Sequence, residues 1–158
     1  MYDVERLRKN SDPIAEYLNN SIKETAAFKE NVEGYELDAD VAKKLKKFVE
    51  DYVVFDFSAE WCPDCQRNIP VLGLIAEETG LEVNIFGHLM RDPEKPKGYW
   101  RVPPSPAEVE EFKVKRIPTI IVLSKEGDKI GEIIESPPEG KSLEEALLDI
   151  FEVSHTAQ

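Results

Sequence analysis

Only two of the 158 residues are cysteines, Cys62 and Cys65, and they stand three apart. A scaffold stapled by several disulfides is thereby excluded, and a zinc site would have to find four ligands with only two histidines, His88 and His155, far apart in sequence. Positive charge is also short, with 20 Lys and Arg against 32 Asp and Glu and a formal net charge of -12. Nucleic acid and anionic membrane are therefore not expected as partners, because both are bound through a basic face. Lys43, Lys44, Lys46 and Lys47 do not change this, since they alternate with Leu45 and Phe48 at helical spacing and read as a solvated helix face. Long apolar runs are missing as well. No stretch approaches the roughly 18 residues of a membrane span, and residues 1–6 carry no apolar run of signal-peptide type. The expectation is a cytoplasmic monomer, and in a reducing compartment two close cysteines point to redox or metal chemistry rather than a structural bridge.

What is present suits one domain over residues 1–158, with 41% hydrophobic residues for a core. Asp12 as N-cap, Pro13 at the first helical position, and Ile14, Tyr17, Leu18 and Ile22 at helical spacing predict a helix over about 13–28. A second helix is expected from Asp38 or Asp40, with Val41, Leu45, Phe48 and Val49 on one face. Residues 52–57 are apolar without alternation, which suits a strand buried on both faces, and Asp56 is the residue in it that does not fit. Ile69, Leu72, Ile75 and Ala76 mark a helix ending at Gly80, and residues 81–86 read as another strand. Residues 87–104 hold four prolines and two glycines and read as a long loop. Ser105, Pro106 and Glu108 predict a capping box opening a short helix over Val109 and Phe112. A strand over 118–123, a hairpin turn at 125–128, its partner over 129–134, and a last helix capped by Ser142 and Glu145 complete the chain. This order predicts an α/β fold, a mixed central sheet with helices on both faces.

The chemistry concentrates in Trp61-Cys62-Pro63-Asp64-Cys65. Between a strand and a helix, Cys62 lies where free backbone N–H groups and the helix dipole favour a thiolate, so it is expected to be the exposed nucleophile. Cys65, one turn on, is placed to resolve a mixed disulfide. Asp64 would oppose the Cys62 thiolate and make the pair a stronger reductant. A carboxyl group at Asp56 is costly unless paired or kept neutral, although it could instead face solvent at a sheet end. Ile117-Pro118-Thr119 heads a strand where proline removes a ladder donor, which a cis peptide in a tight turn would explain.

Phe55-Asp56-Phe57-Ser58-Ala59-Glu60-Trp61-Cys62 and Arg116-Ile117-Pro118-Thr119 resemble the two signature stretches of the thioredoxin family. The resemblance covers about 40–153, leaving 1–36 as an N-terminal helical extension without the family's usual first strand. It implies a thioredoxin-like fold, a proton-shuttling role for Asp56, and a cis peptide at Pro118 beside the cysteines, where Ile117, Trp61, Pro63 and Asp64 would meet substrate. It also implies an oxidoreductase of protein or small-molecule disulfides, recharged by a thioredoxin-reductase-like donor, with no cofactor besides the Cys62–Cys65 dithiol and no metal. The chain departs from the pattern in three further ways. Pro63-Asp64 stands where Gly-Pro is usual, Ile85 stands where a lysine often faces the buried aspartate, and Glu135-Ser136-Pro137-Pro138 replaces a groove glycine. A weakly active binding or chaperone module, favoured by Glu135 and the proline-rich loop, and a metal module using Cys62, Cys65 and His88 are the alternatives.

Overall fold

The computed structural model describes residues 1–90 and 105–156. In chain order these form α1 (Val4–Asn10), β1 (Asp12–Pro13), α2 (Ile14–Glu24), α3 (Ala26–Gly34), α4 (Ala39–Leu45), β2 (Tyr52–Phe57), α5 (Pro63–Thr79), β3 (Glu82–Phe86), α6 (Glu108–Glu111), β4 (Thr119–Ser124), β5 (Lys129–Ile134) and α7 (Leu143–Thr156). The five strands make one mixed sheet in the order β1-β3-β2-β4-β5, in which β2 and β3 run parallel and the other neighbours antiparallel.

The unalternating run at 52–57 becomes the central strand, all six of its residues buried, so both sheet faces are covered. Aromatic pairs fill the space beside it. Tyr52 stacks on Phe151 of α7 at 4.7 Å between ring centroids, and Phe57 stacks on Phe86 of β3 at 4.8 Å. Helix ends follow the sequence closely where caps are present. Pro63 opens α5, and Gly80 closes it in the left-handed region at φ 81°, a conformation that glycine adopts without steric cost. Asp38 caps α4 by accepting from the N–H groups of Asp40 and Val41. Ser142 and Glu145 form the reciprocal capping box of α7, both bonds being 3.1 Å.

The N-terminal third departs from the sequence reading. The helix expected over 13–28 is two helices, α2 and α3, because Thr25 between them is extended at φ -136°, ψ 116°, as suits a β-branched residue. Asp12 does not cap α2. Its backbone pairs with Ile85 in β1, a two-residue edge strand where no strand was expected, and α1 precedes it. The helix expected to carry Phe48 and Val49 stops at Leu45, after which tighter i→i+3 bonds carry the chain to Asp51. The capping box at Ser105 does not form either. The Ser105 hydroxyl is engaged with the backbone of Met90, accepting at 2.7 Å and donating at 3.1 Å. Glu108 is turned inward, buried, to accept from Asn10 at 3.0 Å, so α6 starts at Glu108 itself. Most of the expected 87–104 loop lies outside the described residues.

Candidate active site

β2 delivers the chain to the loop before α5, and Cys62 is the N-cap of that helix. Its backbone is extended at φ -83°, ψ 120°, which turns its sulfur back over the first helical turn. There Cys62 Sγ accepts from the Cys65 N–H at 3.3 Å, and its thiol faces the Ile117 carbonyl oxygen at 3.8 Å. Both cysteines are free thiols. Donation from the Cys65 thiol outweighs burial and, with the Cys65 N–H and the positive Arg67, lowers the Cys62 thiol to about 7, while Glu135 works the other way. Burial, the Cys62 sulfur and Asp56 push the Cys65 thiol far up. The two sulfurs thus differ in acidity in the direction expected of nucleophile and resolver. They do not differ much in exposure. Cys62 is 5% exposed and Cys65 0%, so the open nucleophile expected from the sequence is a largely covered one.

Asp56 is completely buried, which removes the solvent-facing alternative. Its strand neighbours in register are Ile85 and Ile120, so neither adjacent strand places a cation opposite it. Ser58 donates to Oδ2 at 3.0 Å, and Oδ1 has no hydrogen-bond partner among the described residues. Burial pushes the carboxyl up to about 8, slightly relieved by Ser58 and reinforced by Cys62, so it is mostly protonated at neutral pH.

The peptide between Ile117 and Pro118 is cis, and the turn it makes brings Ile117 to Cys62. The Pro118 carbonyl accepts from Glu135 N at 2.7 Å, tying this turn to the end of β5. Glu135 holds a left-handed backbone at φ 66°, unusual for a residue with a side chain, and its own carbonyl accepts from Asn68 of α5 at 3.0 Å. Trp61 is half exposed beside the cysteines, its indole N–H donating to the Leu89 carbonyl at 3.1 Å. Pro63 is exposed at the helix start. Asp64 is ion-paired with Arg67 one turn along α5, and Arg67 and Glu135 are charged groups that act on Cys62 in opposite directions. His88 does not join the cysteines. Its Nδ1 lies 3.0 Å from Glu60 Oε1, and among the described residues no three His, Cys, Asp or Glu side chains are grouped to hold a metal.

A family model described as Thioredoxin matches residues 12–148. The chain belongs to the thioredoxin family. Its fold is similar to that of a protein of unknown function from Pseudomonas aeruginosa, 18% identical, with each chain covered in full and a TM-score of 0.66. It is also similar to an HIV epitope-scaffold, 18% identical over 98% of this chain and 92% of the other, at a TM-score of 0.61. A Trxlp structure from Edwardsiella tarda is 21% identical over 72% of this chain and 94% of its own, with a TM-score of 0.43. No curated protein matches the sequence.

Three groups around this thioredoxin-family site, Tyr17, Asn31 and Gln66, are given no part in the site by the sequence alone. Tyr17 of α2 donates its hydroxyl to Glu60 Oε1 at 2.9 Å, one residue before Trp61. Asn31 of α3 donates to the Gln66 carbonyl at 2.7 Å, and Gln66 Nε2 donates to the Glu60 carbonyl at 2.8 Å. Pro70, four residues beyond Gln66 and inside α5, was the available signal. A proline there leaves the carbonyl four residues back without its helical donor.

Proposed function

We propose that this chain is a thiol-disulfide oxidoreductase that reduces disulfides in proteins or small molecules. The observation that carries the reading is the position of Cys62 Sγ, at an α-helix N-cap, 3.3 Å from the Cys65 N–H and 3.8 Å from the carbonyl oxygen before cis-Pro118. In the reaction the Cys62 thiolate attacks one sulfur of the substrate disulfide. That S–S bond breaks, the departing sulfur takes a proton from solvent, and a mixed disulfide remains on Cys62. Cys65 then attacks Cys62 Sγ, giving its proton to the ionised fraction of Asp56 as its sulfur bonds, and the second substrate sulfur leaves and is protonated. Two electrons pass from the dithiol to the substrate. The Cys62–Cys65 disulfide is recharged by an external dithiol donor of the thioredoxin-reductase class, and the dithiol is the only redox group required.

In this reading Trp61, Pro63, Asp64 and Ile117 form the rim that meets substrate, and the chain works as a monomer in a reducing compartment such as the cytoplasm. Insulin reduction driven by dithiothreitol is the test. The chain should hasten precipitation well beyond dithiothreitol alone, and Cys62→Ser should abolish the gain. Turbidity at the uncatalysed rate would make the chain a thioredoxin-fold binding or chaperone module instead. The assignment of roles has its own measurement: iodoacetamide near pH 7 should label Cys62 ahead of Cys65 by mass mapping, because only the former thiol is substantially ionised there.

A further inference from the structure

The loop carrying Cys62 is held by two helices of the N-terminal extension, which bury Ile14, Tyr17, Leu18 and Phe28 in the core. Pro70 has no N–H, so the Gln66 carbonyl one turn before it lacks its helical partner, and Asn31 of α3 supplies the missing donor at 2.7 Å. Gln66 reaches back across the Cys62–Cys65 turn, its side-chain amide donating to the Glu60 carbonyl at 2.8 Å. Its backbone N–H also donates to the Cys62 carbonyl at 3.0 Å. On the far side Glu60 is gripped by Tyr17 of α2, whose hydroxyl is 2.9 Å from Oε1 and whose ring is buried. Gly87 makes this approach possible, since a Cβ there would lie 2.5 Å from Tyr17 Cε2. The chain of bonds Asn31, Gln66, Glu60, Tyr17 therefore brackets the two cysteines, starting and ending on the extension.

We propose that Tyr17 and Asn31 are positioning residues for the dithiol, so that the extension is a working part of the redox site. The inference rests on the oxidoreductase reading for its activity arm only. Cys62 Sγ is stabilised as a thiolate by the N–H and thiol of Cys65, and both depend on the turn from 62 to 65 keeping its shape. Releasing Gln66 or Glu60 loosens that turn. The donors then drift from the sulfur, and the thiol moves back toward the ordinary cysteine range.

The test uses the full chain, with Tyr17→Phe and Asn31→Ala each compared with the parent. Thiolate absorbance against pH gives the Cys62 midpoint, and iodoacetamide gives its labelling rate, neither of which needs a substrate. Each variant should keep the parent's circular dichroism but show a midpoint raised by half a unit or more, with labelling at pH 7 slowed about two- to three-fold. Reduction of hydroxyethyl disulfide, a neutral small substrate, should slow in step at pH 7 and recover at pH 9, where both proteins are ionised. Midpoints and labelling rates equal to the parent's in both folded variants would overturn the proposal, and so would loss of the fold in both, which would make the bonds purely structural. A parent protein without disulfide reductase activity would sink the oxidoreductase reading alone, and the midpoints would still decide this one.

Discussion

Asp56 is the residue on which the proposed catalysis and stability pull in opposite directions. Its carboxyl loses a proton near pH 4 in the unfolded chain and near 8 in the folded one, so between those values folding takes up a proton. Stability attached to this group is highest below pH 4 and falls as pH rises toward 8, by on the order of 4 kcal/mol at pH 7. Asp56→Asn, which keeps the shape without the titration, should therefore unfold at higher denaturant concentration than the parent at pH 7, with the advantage vanishing at pH 4. The same substitution should slow disulfide reduction by about 10-fold or more, because Cys65 loses its proton acceptor, while Cys62 labelling stays within about two-fold. An unchanged turnover would show that the carboxylate plays no part in proton transfer. Arg67 offers a milder case. Removing its charge in Arg67→Gln should raise the Cys62 midpoint by a fraction of a unit, and the difference should shrink in high salt because the guanidinium is exposed.

At the scale of elements, what could be read from the sequence was whatever local chemistry decides. β2, α5 and the β4–β5 hairpin lie within a residue or two of where composition and caps put them, and α7 starts where its cap puts it, since buried apolar runs, a proline start and a glycine stop act on their own neighbours. Cys62, Cys65 and the cis peptide at Pro118 were legible for the same reason, each lying in a short stretch with strong demands on the backbone. The N-terminal elements were not, because partners far along the chain decide them. Asp12 reads as a cap until Ile85 offers it a strand partner, and Ser105 reads as a cap until Met90 takes its hydroxyl. Tyr17 reads as one more apolar helix position, and its hydroxyl's bond to Glu60, 43 residues away, is beyond the reach of local pattern. A cap that does form should behave as one. Ser142→Ala should cost about 1 kcal/mol, lowering Tm by roughly 2–4 °C, with activity unchanged. A larger loss that alters Cys62 titration would show α7 coupled to the site.

For the whole molecule, the extension needs its own attachment to the core if it is to hold the active-site loop still, and Glu82 provides one. This carboxylate at the start of β3 accepts a two-pronged bond from Arg8 of α1 at 2.7 and 2.9 Å, a bond from Asn84 at 2.9 Å, and one from Lys125 of the β4–β5 turn at 3.3 Å. Partial burial alone would raise its pKa, but these donors win and hold it at about 2. A group depressed in this way adds stability above its unfolded pKa near 4 and loses that contribution as pH falls from about 4 to 2. Because the side chain is 31% exposed, solvent takes part of the benefit, and about 1–2 kcal/mol is the expected contribution at neutral pH. Arg8→Met keeps the apolar stem and removes the fork, leaving Glu82 with Lys125 and Asn84. It should lower unfolding free energy by about that amount at pH 7 and by much less at pH 2, where Glu82 is already about half protonated in the folded parent and more fully so without the fork. Denaturant titrations at the two pH values measure the difference directly. An equal loss at both would mean that Arg8 acts through packing, and that α1 is held by burying Val4 and Leu7 rather than by this cluster of charges.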